Sequence, residues 1–338
     1  MVSTIGRFLR GAASRIPSRM IRSFNRPVAL FFHGVEQRVD DSRVQSNHHD
    51  VAAFEEIANF LCVNFDVLPF DRIADVLRRP DANRHAVFLM CDDGYANNLR
   101  AADILERFGL PWTLFVSTRY IDTAERSPVF IARLFTLFAP EGRYEIPNLA
   151  PIRLDSHGRE AIADSLALRL KSLDAARANE AVAAMQSALT GLPALLERFR
   201  SDAFLTWEQV RDLKRRGVEI GAHAHLHWAM HRDQTRDYLR GQAEMSKARI
   251  EAEVGPCRAF AYPFGNTADV CREAWLAVRD AGYEYAFTTL SGSLDASANP
   301  FLMPRYGLAP RESRLGSVIP ALRLGNGRLA AWQRLMGR

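Results

Sequence analysis

The chain has 338 residues, 48% of them hydrophobic and 25% charged, which is ordinary globular composition and excludes collagen-like, disordered and mucin-like classes. No apolar run reaches about 18 residues, so no helix is expected to span a membrane. Cys62, Cys91, Cys257 and Cys271 are too few for a disulfide scaffold and form no CxxC pair that would suggest a thiolate zinc site. The net charge of +5 is unevenly placed: residues 1–35 hold six Arg and no acid, and residues 301–338 hold seven Arg and one acid. Between them lie 31 basic and 38 acidic residues, so two basic ends flank an acidic body. A nucleic-acid partner would call for a basic body and is not expected.

In the basic start, Ile5, Leu9, Ala12, Ala13 and Ile16 recur at helical spacing, with Arg7 and Arg10 on another face and Pro17 as a break. Three readings stand side by side. The segment is a basic arm that touches nothing specific, an interfacial helix resting on anionic lipid, or a transit peptide. No apolar h-region appears, so a secretory signal peptide is not expected. The expected location is cytoplasmic, with peripheral contact at the inner membrane surface through the basic termini as the more specific form of that reading.

The body alternates strands and helices. Val28 to Phe32 reads as a buried strand, Asp50 to Val63 as a helix, and Ala86 to Met90 as a second strand. Asn97 to Phe108 is a helix closed by Gly109, with Pro111 beyond. Trp112–Ser117 is a strand, Trp207–Arg216 a helix, and Val218–Gly221 a strand. Asp233–Val254 is a long helix, followed by a strand at Cys257–Tyr262, a helix at Ala268–Ala281 and a strand at Tyr285–Thr288. This rhythm predicts an α/β fold with a parallel sheet or barrel. Residues 124–204 interrupt it with helical patterns and no strand, which reads as a helical insertion within one domain. The expected organisation is a basic segment over 1–27, a domain over 28–310 and a basic helical segment over 311–338.

Three clusters carry chemistry, each where a predicted strand ends. The first is Cys91-Asp92-Asp93-Gly94. Two adjacent carboxylates repel and raise one pKa unless a cation lies beside them. A bound metal resolves this with one Asp as ligand and the other as base. An ordinary Asp-Asp-Gly surface turn has the same sequence. The second cluster is His223-Ala-His225-Leu-His227-Trp228, where four of nine histidines fall between 223 and 231. His223 and His227 share a face if the turn is helical, and two imidazoles with a carboxylate make an open zinc-type site. His225 and His231 read more simply as histidines outside that site. The third cluster is Tyr262-Pro263-Phe264-Gly265. Here a backbone N–H near Phe264 is placed to meet an oxyanion, although a plain Pro-Gly turn accounts for the same residues.

In this order the clusters resemble the polysaccharide deacetylase family, also called carbohydrate esterase family four or the NodB-homology domain. Its motifs are of the types Thr-Phe-Asp-Asp-Gly, His-Ser/Thr-x-x-His and Arg-x-Pro-Tyr-Gly. The matching residues are Met90-Cys91-Asp92-Asp93-Gly94, His223 to His227 and Ala261-Tyr262-Pro263-Phe264-Gly265. Leu30-Phe31-Phe32-His33-Gly34-Val35 is similar to a Tyr-His-x-Val opening found in a subgroup that includes exopolysaccharide N-deacetylases, as is Met303-Pro304-Arg305. The similarity runs from about Val28 to Pro310, with 124–204 as an extra.

The resemblance implies a distorted, incomplete (β/α) barrel with its site at the carboxyl ends of the strands. It implies one divalent ion, zinc as the default, held by Asp93, His223 and His227, with Asp92 as catalytic base and the Phe264 backbone N–H as oxyanion donor. Tyr262, Pro263, Gly265, Trp228 and Arg305 are expected around the substrate. The implied reaction removes an N-acyl group, N-acetyl first, from an amino sugar in a polysaccharide, exopolysaccharide or lipid-linked glycan precursor.

The chain departs from the family in three places. No histidine follows His231, so the usual late acid is missing and His33 is the replacement to consider. Met90 and Cys91 replace Thr and Phe. Ala261 replaces the Arg that holds the base, and Arg305 is a candidate for that task as well. These departures also fit a catalytically silent barrel that binds glycan within a synthesis complex, although such a binder has no need of Asp92.

Overall fold

The computed structural model describes residues 26–295, 299–308, 310, 332 and 336. The expectations for the basic start and for most of the C-terminal segment fall outside these residues. Trp332 and Met336 are helical and pack against the main core.

Eight parallel strands form one curled sheet. They are β1 (Val28–Phe32), β4 (Asp66–Val67), β5 (Ala86–Cys91), β6 (Trp112–Val116), β9 (Glu219–Ala222), β10 (Ala259–Ala261), β11 (Tyr285–Phe287) and β12 (Tyr306–Gly307). The order is β11-β10-β9-β6-β5-β1-β12, with β4 also on β5. Side chains alternate between two apolar clusters. Ala29, Phe31, Phe88, Met90, Phe115, Ala261 and Phe287 fill one face, while Leu30, Phe32, Leu89, Leu114, Ile220, Phe260 and Ala286 pack with the helices on the other. Burial on both faces explains why these strands read as unbroken apolar runs. Gly221 is needed because an added Cβ would stand 2.6 Å from the Phe115 ring and 2.9 Å from the Ala259 carbonyl oxygen.

The segment after β11 nearly closes the barrel. Met303 bridges Phe287, and Tyr306 and Gly307 pair with Leu30 and Phe31 of β1. Arg305 lies between these two attachments and is fully buried.

The outer helices are α1 (Val51–Asn64), α2 (Ile73–Arg78), α3 (Asn98–Phe108), α4 (Thr118–Thr123), α9 (Trp207–Arg215), α10 (Arg236–Val254) and α11 (Arg272–Asp280). Helix α3 stops at Gly109 in the left-handed conformation, as its sequence predicts. Helix α9 starts on a capping box between Thr206 and Gln209. Helix α10 begins later than its periodicity suggests, because Thr235 caps it through Tyr238 N. Helix α11 also begins late, because Asp269 ties residues 266–269 into a turn. A short parallel ribbon, β2 (Gly34–Glu36) and β3 (His48–Asp50), was not expected; three residues give too little pattern to read. Among the described residues no helix is long and apolar enough to cross a membrane.

Between α4 and α9 the chain builds a separate layer from α5 (Pro128–Phe138), α6 (Arg159–Lys171), α7 (Ala175–Ala188) and α8 (Leu192–Arg198). It also holds an antiparallel hairpin, β7 (Gly142–Tyr144) and β8 (Ile152–Leu154), so the strand-free expectation for this stretch is corrected. The layer has its own apolar cluster, into which Trp228 projects from the barrel side. Its returning end is pinned to the loop after β5 by Ala96 N–Ala203 O and Leu205 N–Gly94 O hydrogen bonds.

Candidate active site

The three sequence clusters meet at the carboxyl ends of β5, β9 and β10. Six non-glycine residues have positive φ among the described residues, and four of them (Asp93, Ala224, His227 and Phe264) lie in these clusters. Such backbone is held only where surrounding structure over-determines it, and it gathers at sites that bind or react.

Asp92 follows β5, and its N–H bonds the Phe32 carbonyl. Its carboxylate lies in a two-pronged pair with Arg305, Nη1 to Oδ1 at 2.7 Å and Nη2 to Oδ2 at 2.8 Å. Arg305 Nε donates to the Thr288 carbonyl, and the guanidinium stands 4.4 Å from the Phe31 ring centroid. Burial pushes the Asp92 carboxyl up, but Arg305 and His223 outweigh it and leave it below the usual range. Arg305 stood in the sequence both as a substrate contact and as a partner for Asp92, and the structure places it on Asp92. It reaches Asp92 from the segment after β11, whereas residue 261 at the end of β10 is Ala. The pairing is bidentate, a geometry that Lys cannot reproduce.

Asp93 turns the other way. Its Oδ1 lies 2.9 Å from His227 Nε2 and 3.3 Å from His223 Nε2. The two histidines are brought together by an irregular loop with Ala224 and His227 in left-handed conformation, and not by a helical turn. His223 Nδ1 lies 2.8 Å from the Ala261 carbonyl oxygen, which places the proton on Nδ1. Its Nε2 lone pair then faces a carboxylate oxygen. Two lone pairs at that distance repel unless a proton or a cation lies between them, so the donor set fits a divalent ion. Burial pushes the Asp93 carboxyl up, but His227 and His223 hold it well below the usual range. Burial lowers the His223 imidazole, yet Asp92 and Asp93 raise it overall.

Phe264 sits in a three-residue turn closed by Gly265 N to Pro263 O at 2.7 Å. Its carbonyl accepts from Thr289 Oγ1, and its N–H bonds no described residue. Its ring meets His227 edge-on at 5.3 Å. His33 shares the cavity with these groups, and burial lowers its imidazole against the opposing pull of Asp93 and Asp92. The cavity measures about 330 Å³ and is walled by His48, Tyr95, Ser127, Phe130, Arg133 and Asp202. That is room for a small ligand such as one sugar unit.

Other expected substrate contacts lie elsewhere. Tyr262 is fully buried in the main core, with its hydroxyl on the Phe301 carbonyl. Trp228 is buried against the inserted layer and donates to Asn179. Pro263 and Gly265 shape the turn; an added Cβ on Gly265 would stand 2.8 Å from Thr289 N. His225 bonds Thr118 and His231 bonds the Leu173 carbonyl, so both stay outside the site. Tyr95, Phe130 and Arg133 were not foreseen, because two of the three come from the inserted layer and no motif marks them.

The sequence profile of a family described as polysaccharide deacetylase matches residues 79–286. No curated protein matches the chain. Among solved structures, the chain is similar to the deacetylase PplD of Streptococcus pyogenes in complex with acetate (TM-score 0.57, 14% identity, covering 88% of this chain and 98% of that one). It is similar to IcaB from Ammonifex degensii (TM-score 0.55, 14% identity, 89% and 98% covered). It is also similar to a de-N-acetylase from Aggregatibacter actinomycetemcomitans (TM-score 0.53, 17% identity, 88% and 99% covered). At these identities the likeness is one of fold.

Proposed function

The chain belongs to the polysaccharide deacetylase family, and on that premise we propose that it is a metal-dependent hydrolase that removes an N-acyl group, most simply N-acetyl, from an amino sugar in a glycan. The observation that carries this reading is the division of labour between neighbours: Asp92 is clamped by Arg305, while Asp93 is turned to two histidines. A catalytically silent binder has no use for a clamped base.

Asp93, His223 and His227 would hold the ion. Such an ion supplies Lewis acidity toward water and the acyl oxygen. Asp92, kept ionised by Arg305, takes the proton of the attacking water. The Phe264 N–H donates to the developing oxyanion from a backbone that is already fixed. The proton that Asp92 takes from water goes on to the leaving amine, and His33, which faces the same cavity, is assigned to relay it. The N-acyl group would occupy the floor of the cavity, with the sugar against Phe130 and Tyr95. A second part of the reading concerns place: the two basic ends suit peripheral contact with the inner membrane surface, where the substrate would be an exopolysaccharide or a lipid-linked precursor.

The test is acylate release from a panel of N-acetyl and N-formyl amino-sugar oligomers, with protein supplied with zinc or other divalent ions. Release that Asp92→Asn lowers by about 10²–10⁴ supports the reading. No release from any substrate, by protein that holds its ion, would overturn it.

A further inference from the structure

Beside the hydrolytic site lies a second group of buried ligand-type side chains. Glu36 of β2, His48 of β3 and Asp202, which ends the inserted layer, each place a ligand atom within 4.8 Å of the others. All three are at most 5% exposed. His48 Nδ1 is 3.4 Å from Asp202 Oδ1. The Asn97 amide is wedged against the same atoms, with Nδ2 2.8 Å from Glu36 Oε1 and 3.2 Å from His48 Nδ1. Asn97 is 1% exposed, yet its Oδ1 has no hydrogen-bond partner.

The orientation of a side-chain amide is set by what surrounds it. A half-turn puts Oδ1 where Nδ2 stands, beside Glu36 Oε1 and His48 Nδ1, and moves Nδ2 to the place Oδ1 now holds; a cation among the oxygens and the imidazole would take over the contacts that Nδ2 gives up. Four donors from four chain segments then stand in a row of three contacts, at 2.8 Å (Glu36–Asn97), 3.2 Å (Asn97–His48) and 3.4 Å (His48–Asp202), with Glu36, His48 and Asp202 within 4.8 Å of one another. Ligands about 2.0–2.2 Å from a shared ion are spaced by about 3.0–3.6 Å, and these three contacts match that spacing to within a few tenths. The outer contacts follow the same plan. Each carboxylate turns its second oxygen away from the centre, Glu36 Oε2 to Arg100 at 3.2 Å and Asp202 Oδ2 to Gln45 at 2.7 Å. Partners of that kind orient metal ligands. The His48 ring fits only because residue 34 is Gly; a Cβ there would lie 2.4 Å from it.

We propose that Glu36, His48, Asp202 and Asn97 form a second divalent-cation site, separate from the Asp93–His223–His227 set. Three oxygens and one imidazole nitrogen suit a first-row ion such as zinc or manganese. The ion would fasten the β2–β3 ribbon to the end of the inserted layer. His48 and Asp202 also wall the reaction cavity, so the same ion would set the shape of that wall.

The experiment uses the full chain carrying Asp93→Ala and His227→Ala, which removes the first donor set and makes the result independent of any activity. The protein is equilibrated with Zn²⁺ or with Mn²⁺, dialysed, and its ion content and thermal midpoint are measured with and without chelator. The expected result is one ion per chain and a midpoint that falls on chelation. Adding His48→Gln or Asp202→Asn should remove both. Should those variants not fold, Asn97→Ala should weaken binding at least tenfold in a direct titration. The proposal is overturned if the double variant holds no ion above the level of the His48→Gln protein, or if Asn97→Ala binds as tightly as its parent.

Discussion

Arg305 and Asp92 are 213 residues apart and form a buried, two-pronged ion pair. Removing one partner of a buried ion pair leaves the other charge without compensation, at a cost of about 3–5 kcal/mol. Arg305→Met is therefore expected to lower the denaturation midpoint strongly and to abolish acylate release. Arg305→Lys should fold better but recover little activity, since one ammonium cannot grip both oxygens. The adjacent Asp-Asp pair and the two histidines were legible in the sequence because residue type and spacing carry the chemistry. The Arg305 clamp was legible only as one of several roles, because no local pattern shows which carboxylate a distant guanidinium reaches. His49 offers a pH test. It is 1% exposed, and burial lowers its imidazole to about 4 although the Leu308 carbonyl opposes the shift. Between about pH 6.5 and 4 the unfolded chain binds a proton that the native His49 does not, so stability falls as pH falls. The shift corresponds to about 3 kcal/mol. Urea midpoints measured across that range should fall less steeply for His49→Gln than for the unsubstituted protein.

At the scale of elements, the inserted layer lines the cavity from α5 and also reaches the Phe264 turn through the last residue of α6. Lys171 pairs with the buried Asp269 at 3.0 Å, and its ammonium stands 5.4 Å from the Phe264 ring centroid. Asp269 in turn accepts from Asn266 N, so the lysine braces the turn that carries the proposed oxyanion donor. Lys171→Met is expected to lower kcat about tenfold, equivalent to about 1.4 kcal/mol of transition-state stabilisation, with KM little changed. Lys171→Arg should restore part of that loss. A lowered thermal midpoint in both variants with an unaltered kcat would show that the contact is only structural. Helical patterning between 124 and 204 was readable from sequence. The β7–β8 hairpin was not, because its three-residue strands are too short for a period-two signal. Nor was the capture of Trp228 by the layer, which moves an aromatic residue from the expected substrate wall into a core.

For the whole molecule, the charge pattern leads to a membrane test. Full-length protein is expected to sediment with vesicles containing anionic lipid and to lose that association at high salt or on deletion of residues 1–26, which hold six Arg. Equal sedimentation by the deleted protein would remove the N-terminal segment from the proposal. The sequence by itself determined the α/β class, where along the chain most barrel strands lie and the three motifs at their ends. It could do so because buried parallel strands need unbroken apolar runs, and metal-type chemistry needs particular side chains in fixed local order. Tertiary structure alone decided the rest: that residues 300–308 bond to both β11 and β1, that Arg305 clamps Asp92, and that Glu36, His48, Asn97 and Asp202 meet. Each of these depends on where distant backbone passes when the sheet curls. That path is set by packing between faces, which no single stretch of sequence contains.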